Sequence, residues 1–422
     1  MDQKLALDIM LRGESVFLTG PAGSGKTYVL NQFIKKARKA GMVVAVTATT
    51  GLAATHLNGT TIHAWSGLGV RDELEPGFFE NFRKDRKKLI KETDVLVIDE
   101  ISMLHDFRLD MIDAVCRQIR KVDAPFGGLQ IVMCGDFFQL PPVNRRGSRE
   151  GGFVVRSRAW DDLDPVICYL QEQHRQDDEQ FLDILNALRA GDVRRHHAEA
   201  LLERVDVELP SHHDVTELHT INVDVDAMNA KKLALLKGKE HRYTLSTVGA
   251  NNYVETLKRS CLAVEDLVLK QGALVMFLKN NSEQRYVNGS LGTVVGFEAG
   301  TDYPIVQLLT DNREIVVEPD TWELRDGDVK RASLAQVPLR LAWAITVHKS
   351  QGMTLDAAKI DLRKAFVEGM GYVALSRVRG LQTLSLVGIN RTALRISNEA
   401  LQVDKLLRGK AEHDVRRFAA AV

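Results

Sequence analysis

Cysteine is scarce in this chain. Cys116, Cys134, Cys168 and Cys261 lie far apart in 422 residues, with no CxxC pair. That spacing argues against a zinc ribbon or a disulfide framework and fits a reducing cytosol. No apolar run approaches the roughly 18 residues of a membrane span. The N-terminal MDQKLALDIMLRGES contains acidic residues and no continuous apolar stretch, so it does not read as a secretory signal. The expectation is a cytoplasmic protein, nucleoid-associated if bacterial, with no membrane partner. There is also no excess of either charge: 56 basic residues face 56 acidic ones. Such a balance disfavours a protein that coats nucleic acid generally, but allows a narrow groove with a few cations. No internal repeat or low-complexity tract is visible. At 45% hydrophobic and 27% charged residues, the chain has the composition of a globular protein rather than a disordered one.

Its length exceeds what one core organises, so two or three domains are expected. The first part alternates apolar runs with amphipathic ones. SVFLTG (15–20), MVVAVTAT (42–49), DVLVIDE (94–100) and LQIVMCGD (129–136) read as buried strands. KTYVLNQFIKKARKAG (26–41) reads as a helix ending at a glycine cap. Strands apolar throughout, separated by helices, predict a parallel sheet covered on both faces. Residues 66–93 break the rhythm with charge, Gly and Pro, as an insertion or simply a solvated helix and loop. A second αβ region begins near 177, with a strand in DVTELHTIN (214–222) and a helix in VDAMNAKKLALL (225–236). Short β-rich runs from 268 to 338 suggest a small barrel inserted in that region. LRLAWAITVHKSQG (339–352) returns to a buried strand and turn, and the last stretch is helical in pattern.

The chemistry begins at GPAGSGKT (20–27), which follows an apolar strand and precedes a helix. In a loop of this kind Gly20, Ala22, Gly23, Ser24 and Gly25 let backbone N–H groups surround phosphate oxygens. Lys26 is placed to reach the β/γ phosphates and Thr27 to ligate Mg²⁺. Asp99, ending the strand VLVIDE, can hold the same ion, and Glu100 can orient or deprotonate water. A carboxylate pair after a strand can instead cap the next helix. In GDFFQLPPV (135–143), Asp136 and Gln139 stand where a strand tip could face a γ-phosphate, or form a polar loop stiffened by prolines. Arg175 in EQHRQ and Arg377 in YVALSRV are the arginines that could stabilise charge on a transferring phosphoryl group. A surface salt bridge is the alternative for each.

With these strings on the page the chain resembles the Pif-one family of DNA helicases, in the RecD-like 5′→3′ branch of superfamily one. The likeness runs from residue 3 to about 390. It rests on GPAGSGKT, TATTGLAA (47–54), TIHAWSGLG (61–69), VLVIDEISML (95–104), GDFFQLPPV, HRQ (174–176), VNGSLGTVVGF (287–297), AITVHKSQGMTLD (344–356) and YVALSRV (372–378). Phage Dda-type and RecD enzymes share a similar order of motifs.

The resemblance implies an α/β fold of two RecA-like P-loop motor domains, with a small inserted wedge and an SH3-like β accessory domain. The first motor domain would be 1–176 with the wedge at 66–93. The second would comprise 177–267 and 339–422, including the C-terminal helix, and the accessory domain 268–338. Gln3 matches the adenine-reading glutamine. Lys26, Thr27, Asp99, Glu100 and Gln139 match the ATP site, and Arg175 and Arg377 match two arginine fingers. Thr49, Thr50, Gly51, Thr61, His63, Asn222, Thr346, His348 and Lys349 fall at DNA-contact positions. Gln351 lies in the motif joining nucleotide state to DNA grip. Trp65 stands where relatives carry another aromatic, as a base-stacking residue or as plain core.

The implied activity uses ATP and Mg²⁺ in a cleft between the motor domains. It drives 5′→3′ movement on single-stranded DNA and unwinding of forked or 5′-tailed duplex by a monomer. The alternatives are a translocase that remodels protein–DNA complexes with little unwinding, and a P-loop enzyme of small-molecule metabolism such as a kinase.

Overall fold

Short runs with hardly a polar residue form the first sheet. The computed structural model describes residues 1–419 apart from 58, 70, 81, 145–148, 173–177, 210–214, 262, 280, 282–285, 287–288, 310, 327–328 and 356. In it, β1 (Val16–Thr19), β2 (Val44–Ala48), β3 (Thr60–Thr61), β4 (Val95–Asp99), β5 (Gln130–Cys134) and β6 (Val166–Tyr169) pair in the order β3-β2-β4-β5-β1-β6. The pairings are parallel. All residues of β1, β4 and β6 are buried, as a sheet covered on both faces requires. Helix Lys26–Lys39 lays Val29, Leu30, Phe33, Ile34 and Ala37 into that core, at the spacing of one helix face. Each of the four larger side chains contributes roughly 1.5–3 kcal/mol of burial. Gly41, at φ +86°, ends the helix, as its sequence predicts.

The chain divides into two compact units. One comprises Met1–Arg175, Arg325–Val329 and Ser397–Val422; the other comprises Gln176–Leu324 and Lys330–Ile396. The C-terminal helix, expected in the second motor domain, belongs to the unit that contains Met1–Arg175. Helix Asn398–Ala419 covers the outer edge of β6. Asp414 accepts the Ile167 N–H at 2.8 Å, Tyr169 donates to Asp404 at 2.7 Å, and Arg408 donates to the Tyr169 hydroxyl at 2.7 Å. An open edge strand is an unpaired row of backbone groups. The buried Asp414 satisfies one of them.

The 66–93 insertion is more than a solvated loop. Phe78 packs against Phe79 and Phe82 at ring-centroid separations of 5.2 and 5.5 Å, and Phe82 is buried. Asp72 receives a hydrogen bond from Arg108 at 2.8 Å, and Arg86 donates to the Ala64 carbonyl. The insertion is therefore fixed to the body of the first unit.

In the second unit, β7 (Thr216–His219) begins a parallel sheet. β8 (His241–Thr244), β9 (Ser246–Gly249), β10 (Asp266–Leu269), β11 (Leu274–Phe277), β12 (Leu291–Phe297), β13 (Pro304–Leu308), β14 (Glu314–Val316), β15 (Asp320–Asp326), β16 (Val329–Gln336) and β17 (Leu339–Leu341) build an antiparallel module. β18 (Ala344–Thr346), β19 (Ala358–Leu362) and β20 (Leu384–Ile389) complete the parallel sheet, in the order β18-β7-β19-β20. The module begins at His241 rather than at 268. β8 pairs with β10, and β9 with β16. The sequence hid these two strands because β8 alternates between half-buried and exposed residues and β9 is exposed throughout, which leaves no apolar pattern to read. On re-entry, Asn229 brackets Ala344, donating to its carbonyl at 2.8 Å and accepting its N–H at 3.0 Å.

Candidate functional site

The turn after β1 is built for close approach. Gly23 and Gly25 both sit at φ +84°, a region costly for any residue with a Cβ. A Cβ on Gly25 would lie 2.2 Å from Gln3 Nε2, and one on Gly20 would lie 2.6 Å from the Leu170 carbonyl oxygen. Gln3 thus lies directly on the loop, donating to the Ser24 carbonyl at 3.1 Å. Lys26 donates to the Gly20 and Pro21 carbonyls at 2.8 and 2.9 Å, tying the loop's two ends together. The following helix has no side-chain N-cap, so its first-turn N–H groups and positive dipole end suit an anion. Ser24 Oγ is buried without a hydrogen-bond partner, a further polar group in the cradle.

Asp99 and Glu100 follow β4. The register Ile98↔Met133 and Leu18↔Cys134 brings the ends of β4, β5 and β1 side by side. Burial raises the Asp99 pKa; the Glu100 N–H, the Cys134 thiol and the Lys26 ammonium oppose that shift. Glu100 donates its N–H to Asp99 Oδ1 at 2.8 Å and adopts φ +51°. A left-handed non-glycine residue costs about 1–2 kcal/mol, strain that clusters at functional turns. Two residues past β5, Asp136 is fully buried, and its carbonyl accepts the Gln139 N–H at 3.0 Å. A buried carboxylate opposite a lysine, beside a threonine at an open helix start, is an oxygen donor set suited to a hard divalent cation. Thr27 and Asp99 would hold it, and its charge would offset the desolvation of Asp99.

The second unit presents its chemistry at the same end of its own sheet. Thr346 closes β18, and its hydroxyl accepts the Lys349 N–H at 3.3 Å. Burial lowers the pKa values of His348 and Lys349; Arg340 lowers that of Lys349 further, against Asp226. Arg377 is 1% exposed. It donates to the carbonyls of Val373 (2.8 Å), Met353 (3.2 Å) and Ser350 (3.4 Å) and to the Ser376 hydroxyl (2.8 Å). The guanidinium therefore braces the 350–353 turn against helix Met370–Leu375, and Gln351, also buried, lies in that turn.

Two matches decide the family. Residues 2–199 match the PIF1-like helicase family, and residues 252–297 match the domain described as DNA helicase Pif1, 2B domain. A relative from Psychrobacter sp. (strain PRwf-1), ATP-dependent DNA helicase Pif1, is 43% identical over 96% of this chain and 70% of its own length. The chain belongs to the PIF1-like helicase family. A Homo sapiens relative, ATP-dependent DNA helicase PIF1, is 38% identical; the match covers 96% of this chain and 63% of that protein. A solved Pif1 helicase from Bacteroides, in complex with ADP-AlF3 and single-stranded DNA, superposes with a TM-score of 0.69. It is 33% identical and the match covers 98% of this chain and 97% of that one.

Against that family pattern the structure sorts the expected residues. Gln3, the loop 20–27, Asp99 and Glu100 come together in the first unit. Thr49 does something the motif did not announce. Its hydroxyl donates to the Glu100 carbonyl at 2.8 Å and its N–H to the Asp99 carbonyl at 3.2 Å. It links the expected strand-contact segment to the carboxylates. Thr50 and Thr61 accept from the N–H groups of Ala53 and Ala64, both at 3.2 Å, as caps of the short helices Gly51–His56 and Ile62–Trp65. Burial, with Arg108 and His105 nearby, lowers the His63 pKa to about 4, so the ring is neutral at pH 7 and is no cationic phosphate anchor. Trp65 is 1% exposed; its base-stacking alternative gives way to plain core. Arg175 lies outside the described residues. Asn222 opens helix Asn222–Leu235, and its side chain is outside them as well.

Sequence reading missed Cys134 and Arg340. The strand register would have pointed to Cys134, since it stands opposite Asp99. Nothing in the local sequence marks Arg340, whose pKa is lowered by burial. Asp183, His196 and His197 form a cluster of potential metal ligands, but its hydrogen bonds argue against that use. The Arg194 N–H donates to His197 Nδ1 at 3.0 Å, so in the neutral ring Nε2 carries the proton, 3.0 Å from Asp183. His197 caps helix Arg195–Leu202, and Asp183 holds its ring.

Proposed function

We propose that this chain is an ATP-dependent DNA helicase that moves 5′→3′ along single-stranded DNA and unwinds duplex ahead of it. The observation behind this reading is the first unit's constellation. Lys26 closes a glycine loop, and buried Asp99 and strained Glu100 stand two strands away. In this reading Gln3 selects adenine and the loop N–H groups bind the phosphates. Glu100 orients or deprotonates the attacking water, and Gln139 senses the γ-phosphate. Mg²⁺ held by Thr27 and Asp99 would neutralise phosphate charge. Arg175 and Arg377 stabilise the transferring phosphoryl group. Hydroxyls and amides near Thr49–Gly51, Thr61 and Thr346–Lys349 grip the strand without reading its sequence. The 66–93 insertion acts as the wedge, and the antiparallel module is the SH3-like accessory domain.

The test is ATP turnover with and without single-stranded DNA, followed by unwinding of 5′-tailed and 3′-tailed duplexes. Turnover should rise with DNA and unwinding should require the 5′ tail. Stimulated turnover without strand separation would support the translocase that remodels protein–DNA complexes. Turnover indifferent to DNA would overturn both readings and favour a small-molecule P-loop enzyme.

A further inference from the structure

Where helix Asn398–Ala419 covers β6, one set of contacts closes on itself. The Tyr169 hydroxyl donates to Asp404 Oδ1 at 2.7 Å, Arg408 Nη2 donates to that hydroxyl at 2.7 Å, and Arg408 Nε donates to Asp404 Oδ2 at 2.6 Å. The guanidinium also lies 4.6 Å from the centroid of the Tyr169 ring, within cation–π range. Tyr169 is buried, and the Asp404 side chain is 14% exposed. A phenol, a carboxylate and a guanidinium that satisfy one another in this way hold a fixed geometry. Covering a strand edge needs less than this, and Asp414 already accepts the Ile167 N–H. The triangle instead fixes a side chain on the last residue of the strand.

That end of β6 is the wall of the phosphate loop. Tyr169 pairs with Thr19, the last residue of β1. The residues that follow also touch. The Leu170 N–H donates to the Thr19 carbonyl at 2.8 Å, and a Cβ on Gly20 would lie 2.6 Å from the Leu170 carbonyl oxygen and 3.2 Å from Leu170 Cβ. Gly20 opens the loop, and its carbonyl accepts from Lys26. Leu170 and Phe418 of the C-terminal helix share one buried cluster with Val29 and Leu30, which belong to the helix that begins at Lys26. In packing this close, a small displacement of the end of β6 reaches Gly20 directly.

We propose that Tyr169, held by Asp404 and Arg408, is a positioning residue for ATP binding. It fixes the wall against which Gly20 and the phosphate loop are set. The proposal rests on the reading of 20–27 as that loop. Its effect precedes the chemical step, because a loop already in its binding geometry loses less freedom when a phosphate arrives. Opening the triangle therefore raises the KM for ATP and leaves kcat alone, the pattern of lost uniform binding. The C-terminal helix thereby takes part in the ATP site of the unit on which it packs.

Steady-state ATP turnover in the presence of single-stranded DNA tests it. Tyr169→Phe keeps the ring and removes the hydroxyl. It should raise the KM for ATP roughly two- to tenfold, the range of one lost hydrogen bond. Its kcat should stay within about twofold of the parent's, and its melting should stay near the parent's. Asp404→Ala should raise KM in the same way. The double variant should be no worse than the worse single one, because both substitutions remove one shared contact. An unchanged KM in both single variants, or KM changes that multiply in the double variant, would overturn the proposal. Lys26→Ala is the control for the loop itself. If that variant turns over ATP normally, the phosphate-loop reading falls and this proposal falls with it.

Discussion

At the carboxyl edge of the first unit's sheet stand Asp99, Glu100 and Asp136, beside a helix start with no side-chain cap. At the same edge of the second unit's sheet stand Thr346, His348, Lys349 and Phe366, with Arg377 buried among carbonyls close behind. Both sheets are parallel and packed by the same apolar logic, and both deliver polar groups on the turns that follow strands. The difference lies wholly in those turns. One set gathers carboxylates beside a glycine loop; the other gathers a hydroxyl, an imidazole and an ammonium on the turn after β18. The scaffold sets where chemistry can be placed, and the turn residues decide which chemistry it is.

Replacing the central cation of the first edge should produce the largest effect. Lys26→Ala should abolish ATP turnover while far-ultraviolet circular dichroism and melting stay near the parent's; normal turnover would break the contrast outright. Next comes Arg377→Ala, which should lower ATP turnover by about 10³-fold, in the range of arginine fingers. ATP affinity, read with a fluorescent nucleotide, should change by much less. Equal loss of both would make Arg377 only a brace for its turn.

The third prediction concerns pH. His63 has a folded pKa of about 4, below the ~6.5 of an unfolded histidine. Between these values the unfolded chain binds the extra proton, so acidification favours unfolding. Stability from the neutral ring is fully present above pH 6.5 and is lost as pH falls towards 4, by up to about 3 kcal/mol. His63→Gln should flatten urea-unfolding stability across that window. Asp414→Ala should cost the first unit about 1.5–3 kcal/mol, the worth of a charged buried hydrogen bond, without altering the second unit. Hydrogen exchange at β6 reads this out, and protection unchanged at Ile167 would sink it. The smallest effect belongs to the second edge. Lys349→Ala should weaken single-strand binding about three- to tenfold and lower the salt slope by ~0.7, leaving ATP affinity alone.

Much of this was legible beforehand, for reasons visible in particular residues. β1, the loop 20–27 and helix Lys26–Lys39 follow one another within 24 residues. Their apolar period, glycines and cap are local signals of backbone geometry. β8 and β9 were missed because exposed strands show no apolar alternation. Trp65 could be read as stacking or core from sequence, and only packing chose core. The hydroxyls of Thr50 and Thr61, in the segments expected to contact the strand, also accept helix N–H groups, a use that a hydroxyl's short reach makes available anywhere a helix begins and that the motif alone does not announce.

By itself the sequence determined the order of the elements, the phosphate loop, the carboxylate pair and the family pattern, because each depends on residues close along the chain. Only the tertiary structure decided that residues 398–419 cover β6 in the first unit and that Arg377 is caged by carbonyls. These outcomes depend on which distant segments meet, and such pairings leave no periodic trace in either segment alone.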